Sequence, residues 1–223
     1  MTAPLSGVRL WRFLAAAAAG LLLGVALPPW GWWWCAPLGV AALVLAVRGA
    51  AVWLAALTGG LAGAVWAAVS LSWLAQVGVD AAVGLTAILA VWWALLGAGL
   101  MLVQRVAAWP VFVPAVVVLQ ETLRSSIPFG GFPWARIGFA AADSPLLVAA
   151  PLIGVVGISA LLSFAGACVA AAMLAAREGR RAVGLCWLLV PLAGLAVVVA
   201  GSPALWSPPL SRTDRGLVAA VVQ

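Results

Sequence analysis

Long apolar runs, separated by short polar or Gly- and Pro-rich breaks, account for most of the chain. A helix needs about 20 apolar residues to cross the roughly 30 Å hydrocarbon core of a bilayer. Seven runs can be marked, at about 10–27, 33–47, 51–74, 82–103, 110–123, 145–175 and 182–200. We therefore predict an all-α polytopic membrane protein with about seven transmembrane helices, of which the second and fifth are short for a full crossing.

The composition supports the membrane class and excludes others. Hydrophobic residues make up 67% of the 223 residues, charged residues make up 7%, and the mean hydropathy is +1.23. No water-soluble domain of this size could bury so much apolar surface. The net charge of +6 is too sparse for a nucleic-acid interface. The absence of His excludes a His-ligated metal, and no motif indicates a cofactor.

Arginine residues are concentrated on one side of the predicted bundle. With the N-terminus inside, the outer ends carry Arg124 and Arg136 against Asp80, Glu121 and Asp143. The inner ends carry one acid, Glu178, and seven arginines: Arg9, Arg12, Arg48, Arg105, Arg177, Arg180 and Arg181. The positive-inside rule therefore predicts a cytoplasmic N-terminus and an extracytoplasmic C-terminus.

Two pairs of glycines have the spacing that lets membrane helices approach closely. Gly20 and Gly24 lie in the first run, and Gly59 and Gly63 lie in the third. Small residues four positions apart expose backbone on one helix face. The pairs indicate close contacts between helices, or they arise by chance because Gly is frequent throughout this chain.

Glu121 and Arg124 are the ionisable residues that come closest to lying inside an apolar run. Their spacing puts them one helical turn apart, so they can pair on one face of the fifth helix. One interpretation is an ion pair at the membrane interface. The other is a site that holds a lipid head group or positions the following loop, because ionisable groups within membrane helices usually mark function.

The loop Gly130-Gly131-Phe132-Pro133-Trp134 cannot form a regular helix. The two glycines permit backbone angles that other residues avoid, and Pro133 holds Phe132 in an extended conformation. Irregular backbone at membrane depth must be buried in protein or line a wet cavity. We expect Phe132 and Trp134 to contact lipid. The segment is either a re-entrant loop beneath a lipid-entry site or a plain interfacial connector.

Nothing in the chain resembles a catalytic nucleophile with its base. Cys35, Cys168 and Cys186 are scattered in or beside apolar runs and are interpreted as small buried hydrophobic residues. Ser125 and Ser126 lack a neighbouring base. We therefore assign no catalytic residue in this chain.

The C-terminal segment differs in composition from the rest. We divide the chain into a seven-span domain at 1–201, a Ser- and Pro-rich extracytoplasmic linker at 202–215, and an apolar, β-branched segment at 216–223. A single strand is not stable alone. The last segment is therefore either the first strand of a second domain that the chain does not complete, or a flexible tail.

Several motifs together resemble the membrane part of bacterial apolipoprotein N-acyltransferases. They are Glu121-x-Leu-Arg124, Gly131-Phe132-Pro133-Trp134, Gly138-Phe139, Pro151-x-x-Gly154-x-x-Gly157, Ser72-Trp73-Leu74 and the Pro-rich aromatic stretch Pro28–Trp34. The segment 217–223 resembles the first strand of that family's α/β nitrilase-like (carbon-nitrogen hydrolase) domain. The resemblance covers the chain from about Leu10 to Gln223.

The resemblance implies an enzyme of lipoprotein biosynthesis in the bacterial inner membrane. Such enzymes move an acyl chain from a membrane phospholipid, through a cysteine thioester, to the N-terminal diacylglyceryl-cysteine of a lipoprotein. Their Cys, Lys and Glu triad lies in the nitrilase-like domain. This chain has no Lys, and none of its cysteines matches the nucleophile, so we expect the chain alone to be inactive. A non-catalytic scaffold or lipid-binding subunit is the alternative. A transporter is disfavoured by the lack of mid-membrane polar residues.

Overall fold

A computed structural model describes residues 5–128 and 130–205 of the chain. The α-helices in this part of the chain are α1 (Leu5–Val25), α2 (Cys35–Val47), α3 (Val52–Ser70), α4 (Val79–Val103), α5 (Trp109–Arg124), α6 (Ala150–Arg177) and α7 (Arg181–Leu205). Short 3-10 segments cover Ser72–Gln76, Ile137–Asp143 and Pro145–Ala149. No strand occurs among these described residues, so the all-α prediction is confirmed for them.

Each predicted apolar run contains one α-helix, but some boundaries differ. The third run was predicted to continue to residue 74, whereas α3 ends at Ser70 because Leu71 leaves helical geometry (φ −115°, ψ 21°). The sixth run begins as a 3-10 turn, in which the Ser144 hydroxyl accepts a hydrogen bond from the Leu146 N–H at 3.1 Å. Helix α7 extends to Leu205, past the predicted linker start at 202. The rest of the linker and the predicted strand at 216–223 lie outside the described residues.

Length and apolar composition identify some of the helices as candidate membrane spans. Three segments are long and apolar enough to cross a membrane: Val52–Ser70, Val79–Val103 and Pro145–Arg177. Shorter apolar stretches cover Leu10–Val25 within α1, Cys35–Val47, and Arg181–Val197 within α7. Helix α2 has only 13 residues, which at 1.5 Å per residue is about 20 Å. The count of seven membrane spans therefore stays a prediction.

The first six helices pack in a closed circuit. Going round it, α3 packs on α1, α1 on α2, α2 on α6, α6 on α5, α5 on α4, and α4 back on α3. Helix α2 also contacts α3 and α4 across the circuit, which explains why most of its residues are buried. Helix α7 packs outside the circuit against α6 and the 3-10 segment Pro145–Ala149.

The predicted glycine contacts are present between helices. A Cβ at Gly20 would overlap the carbonyl of Ala62, so this face of α1 meets α3 directly. At Gly59 an added Cβ would overlap the carbonyl of Trp93 and lie 2.8 Å from the Cα of Gly97. Close backbone approach at these positions, and not composition alone, therefore explains the glycines of α1 and α3.

Candidate functional site

The C-terminal end of α5 carries two deeply buried charged residues. Glu121 is 3% exposed and Arg124 is 2% exposed. They lie on the same face as the buried residues Val113, Val117 and Gln120, which is the helical spacing of a core-facing stripe. The interfacial ion pair, one of the two interpretations above, assumed solvated side chains, but the structure puts both groups inside the bundle.

Glu121 and Arg124 do not form the direct ion pair that their spacing allowed. Instead, Arg124 Nη1 donates hydrogen bonds to the carbonyls of Phe132 and Trp134, each at 3.0 Å. Glu121 Oε1 accepts a hydrogen bond of 2.7 Å from the Ile137 N–H. The loop folds back over the end of α5 and offers backbone groups to both charges, as buried charges require. Both residues therefore position the loop.

The guanidinium of Arg124 also connects the loop to the centre of the bundle. Its Cζ lies 5.6 Å from the ring centroid of Trp66 and 5.9 Å from that of Phe132, within cation–π range. Trp66 is fully buried on α3, and its ring lies 5.1 Å from the ring of Trp93 on α4. Arg124 thus links α3, α5 and the loop through one side chain.

Gly131 has the geometry that the sequence predicted for the loop. Its φ is +79°, and an added Cβ would overlap the backbone of Ser125 and Ser126 at the end of α5. The Phe132 N–H donates to the Arg124 carbonyl at 2.8 Å. Ala135 also has a left-handed φ of 53°, which costs a non-glycine residue about 1–2 kcal/mol. The loop is therefore held in one shape by many short contacts.

The outer surface of the loop borders an apolar cleft. The cleft has a volume of about 420 Å³, and its lining includes Leu71, Trp73, Trp134 and Phe139. Trp134 is 56% exposed, and its ring centroid lies 5.8 Å from those of both Trp73 and Phe132. Pro133 is exposed between the two aromatic residues. The loop thus presents a group of aromatic rings to the surroundings while its backbone is fixed from inside.

Ser159 on α6 belongs to this site, although sequence reasoning did not identify it. Its hydroxyl accepts a hydrogen bond of 2.9 Å from the Gly138 N–H and faces the Glu121 carboxyl group. Glu121 Oε2 nevertheless makes no hydrogen bond of acceptable length and angle within the described residues. The available signal was a hydroxyl pair, Ser159 and Ser163, within an otherwise apolar run. Trp66 was also missed, because a Trp inside an apolar run gives no hint of a cation beside it.

None of the three cysteines lines the cleft beside the loop. Cys35 and Cys168 are buried in the bundle, which confirms their prediction as small buried residues, whereas Cys186 is exposed on α7 and that part of the prediction is wrong. Cys186 lies on α7, the helix that packs outside the circuit. Within the described residues, no group of three His, Cys, Asp or Glu could hold a metal ion.

Comparison with known proteins gives one consistent result. The family model of the apolipoprotein N-acyltransferase N-terminal domain matches residues 19–168, a range that contains every site residue described above. An apolipoprotein N-acyltransferase of Methylococcus capsulatus is 34% identical over 203 residues, which is 85% of this chain and 38% of the relative. One of Ralstonia nicotianae is 32% identical over 223 residues, covering 90% of this chain and 41% of the relative.

A shorter and more similar match falls within the same family. The apolipoprotein N-acyltransferase of Nitrosomonas europaea is 42% identical over 86 residues, or 37% of this chain. The chain spans about two fifths of the length of the Methylococcus capsulatus and Ralstonia nicotianae relatives. The apolar helical bundle, the loop motif and these matches agree, and the chain belongs to the apolipoprotein N-acyltransferase family, within its N-terminal domain.

Proposed function

We propose that this chain is the membrane portion of an enzyme that transfers an acyl chain from a phospholipid to the N-terminal diacylglyceryl-cysteine of a lipoprotein. Two findings support the proposal: the family membership and the construction of the 130–139 loop. In this proposal the loop forms a wall of the lipid-access site at the extracytoplasmic end of the bundle. The enzyme is a multi-pass protein of the bacterial inner membrane.

The observation that carries the proposal is the pair of buried charges that fix the loop backbone. Burying a charge is costly unless hydrogen bonds compensate for it. A plain connector needs no such anchor, because its backbone could bind water at the interface. Here Glu121 and Arg124 bind backbone groups of Ile137, Phe132 and Trp134 and hold them in place. Fixed aromatic rings beside an apolar cleft suit a surface that aligns acyl chains.

The charges of the loop suit a phospholipid donor. Arg136 is half-buried, and its Nη2 donates to the Ser125 hydroxyl at 2.8 Å. Within residues 130–139 the charged residue is Arg136. A phosphate at this depth would be attracted to Arg136, while the acyl chains contact Trp73, Trp134 and Phe139. The chain would thus orient the ester toward a reacting thiol.

We assign the covalent chemistry to a nitrilase-like domain, as the family resemblance implies. Formation of a thioester needs an activated thiolate. The sequence contains no Lys and no His, and Cys35 and Cys168 are buried and do not line the cleft. The chain alone therefore contributes binding and orientation of lipid and not bond formation.

A chimera tests this proposal. The matched part of the Methylococcus capsulatus relative is replaced by this chain, and transfer of an acyl chain from phospholipid to a diacylglyceryl peptide is measured in detergent. We expect transfer by the chimera and none by the chain alone. In the chimera, Arg124→Met should lower the rate at least tenfold, since two loop carbonyls lose their donor at roughly 1–3 kcal/mol each.

Arg105→Met is the matched control, because it removes an exposed arginine far from the loop. It should keep the rate of the unsubstituted chimera. Equal rates for both variants would remove the loop from the proposed site. A folded chimera that binds phospholipid but transfers nothing would favour the lipid-binding scaffold instead.

A further inference from the structure

The opposite, arginine-rich end of the bundle carries a second apolar groove. It has a volume of about 440 Å³ and lies between α1, α2 and α6. Its apolar walls include Leu38, Ala42 and Leu45 of α2 and Met173 of α6. Leu38 and Met173 are exposed on their outer faces. The groove therefore opens toward the surrounding lipid and not toward the loop site.

The groove runs along the helices. Helices α1 and α6 both pack on α2, and residues of all three helices line the groove, so α2 forms its floor between the other two. The lining extends along α2 from Leu38 to Arg48, which is about 15 Å at the rise of an α-helix. An apolar groove of this length and direction matches an extended acyl chain lying parallel to the helices.

Positive charge is confined to one end of the groove. Arg48 follows the last turn of α2 and Arg177 ends α6, and both line the groove together with Trp11 at the start of α1. Arg48 Nη1 donates to Gln104 Oε1 at 3.2 Å. A guanidinium has five N–H donors, so Arg48 keeps donors for a further acceptor.

The surroundings add to this charge and do not cancel it. Arg12 is buried, and its Nη1 donates to the carbonyl of Ala46 in the last turn of α2. The acid next to Arg177, Glu178, is bonded to Arg180 at 3.0 Å. The charged end of the groove therefore has an excess of arginine with no carboxylate bound to Arg48 or Arg177 among the described residues.

We propose that this groove binds one anionic phospholipid of the leaflet at the arginine-rich end. One acyl chain lies on α2 between α1 and α6, and the phosphate binds Arg48 and Arg177. A soluble anion would make no use of the apolar walls, and a zwitterionic lipid would offer no net charge to the two arginines. The lipid joins three helices and lies at the end of the bundle opposite to the proposed substrate site.

Native mass spectrometry of the delipidated 223-residue chain in detergent tests the proposal. Phosphatidylglycerol, phosphatidylcholine and free glycerol phosphate are added separately. We expect one tightly retained phosphatidylglycerol per chain and weak or no binding of the other two. The double variant Arg48→Gln with Arg177→Gln should bind phosphatidylglycerol roughly 30-fold more weakly. Ala42→Phe, which fills the floor, should also reduce binding.

Matched variants separate a specific site from general attraction. Arg181→Gln removes an exposed arginine at the same end that does not line the groove. Val91→Phe adds the same kind of bulk to an exposed position of α4. Both should bind phosphatidylglycerol as the unsubstituted chain does, and all variants should unfold at similar temperatures without lipid. Equal retention of phosphatidylcholine, equal loss with Arg181→Gln, or binding of glycerol phosphate alone would overturn the proposal.

Discussion

At the scale of single residues, the loop is held by a small number of polar side chains in an otherwise apolar bundle. Arg124 satisfies two loop carbonyls and lies between the rings of Trp66 and Phe132. A lysine could not reproduce these contacts, because its ammonium lacks the planar fork of donors. The loop shape and the position of Trp134 thus depend on one buried guanidinium and on the space left by Gly131.

The two neighbouring glycines of the loop allow a paired test. Both have positive φ, +90° at Gly130 and +79° at Gly131, but only at Gly131 would a Cβ overlap other atoms. Gly130→Ala should cost only backbone strain, about 1–2 kcal/mol. Gly131→Ala should cost roughly 1–3 kcal/mol more, because the end of α5 must move. Thermal unfolding of the chain and acyl transfer by the chimera measure both effects.

The test is the difference in stability and transfer rate between Gly130→Ala and Gly131→Ala. Equal losses would mean that the contact between Gly131 and α5 yields at little cost. The loop would then be adaptable and not held in one shape.

The sequence identified the charged residues of the site but not their partners. Glu121 and Arg124 were conspicuous because ionisable residues are rare in apolar runs. Their helical spacing suggested a mutual ion pair, since the path of the following loop was unknown. Once the chain turns back at Gly131, the carbonyls of Phe132 and Trp134 are closer partners. Ser159 and Trp66 could not be found, because only tertiary packing brings α3 and α6 to this point.

At the scale of elements, direct backbone contact joins α3 to α4. Gly59 and Gly97 face each other, and the carbonyls of Trp93 and Ala55 lie against them. Without a hydrophobic driving force inside a bilayer, such close packing is a main source of helix association. This contact also fixes Trp93 against Trp66, and so supports the position of Arg124 from behind.

A glycine pair on these helices tests the contact. Gly59→Ala should destabilise the fold by about 1–3 kcal/mol, since the helices must separate. Gly84→Ala is the matched change on α4, where a Cβ would meet nothing within 4 Å. It should be neutral or stabilising by about 0.5–1 kcal/mol, because alanine favours helix. Unfolding in detergent measures both stabilities. Equal stability of the two variants would contradict the contact between α3 and α4.

At the scale of the whole molecule, the arginine pattern predicts orientation in the membrane. The loop between α4 and α5 lies at the arginine-rich end, with Arg105 exposed, while the turn after α5 lies at the loop-site end. These two segments are joined by α5 alone. A test of orientation therefore needs one reporter in each.

Cysteine labelling in intact cells provides that test. In a background with Cys35, Cys168 and Cys186 replaced by Ala, single cysteines are placed at the exposed positions Ala107 and Ser126. A membrane-impermeant maleimide should label Ser126→Cys directly and Ala107→Cys only after permeabilisation, because arginine-rich loops remain cytoplasmic. The reverse pattern would refute the predicted topology, and labelling of both sites without permeabilisation would show that α5 does not cross.

The shortness of α2 has a consequence for the bilayer itself. A segment of about 20 Å is well below the hydrocarbon thickness, and a short apolar segment is accommodated by local thinning of the lipid or by tilt of its neighbours. Because α2 lies in the circuit between α1 and the longer α6 and keeps an outward face between them, we expect the membrane to be locally thinned on this side of the molecule. Such a depression would bring the glycerol esters of nearby phospholipids inward, to the depth of Trp73 and Trp134.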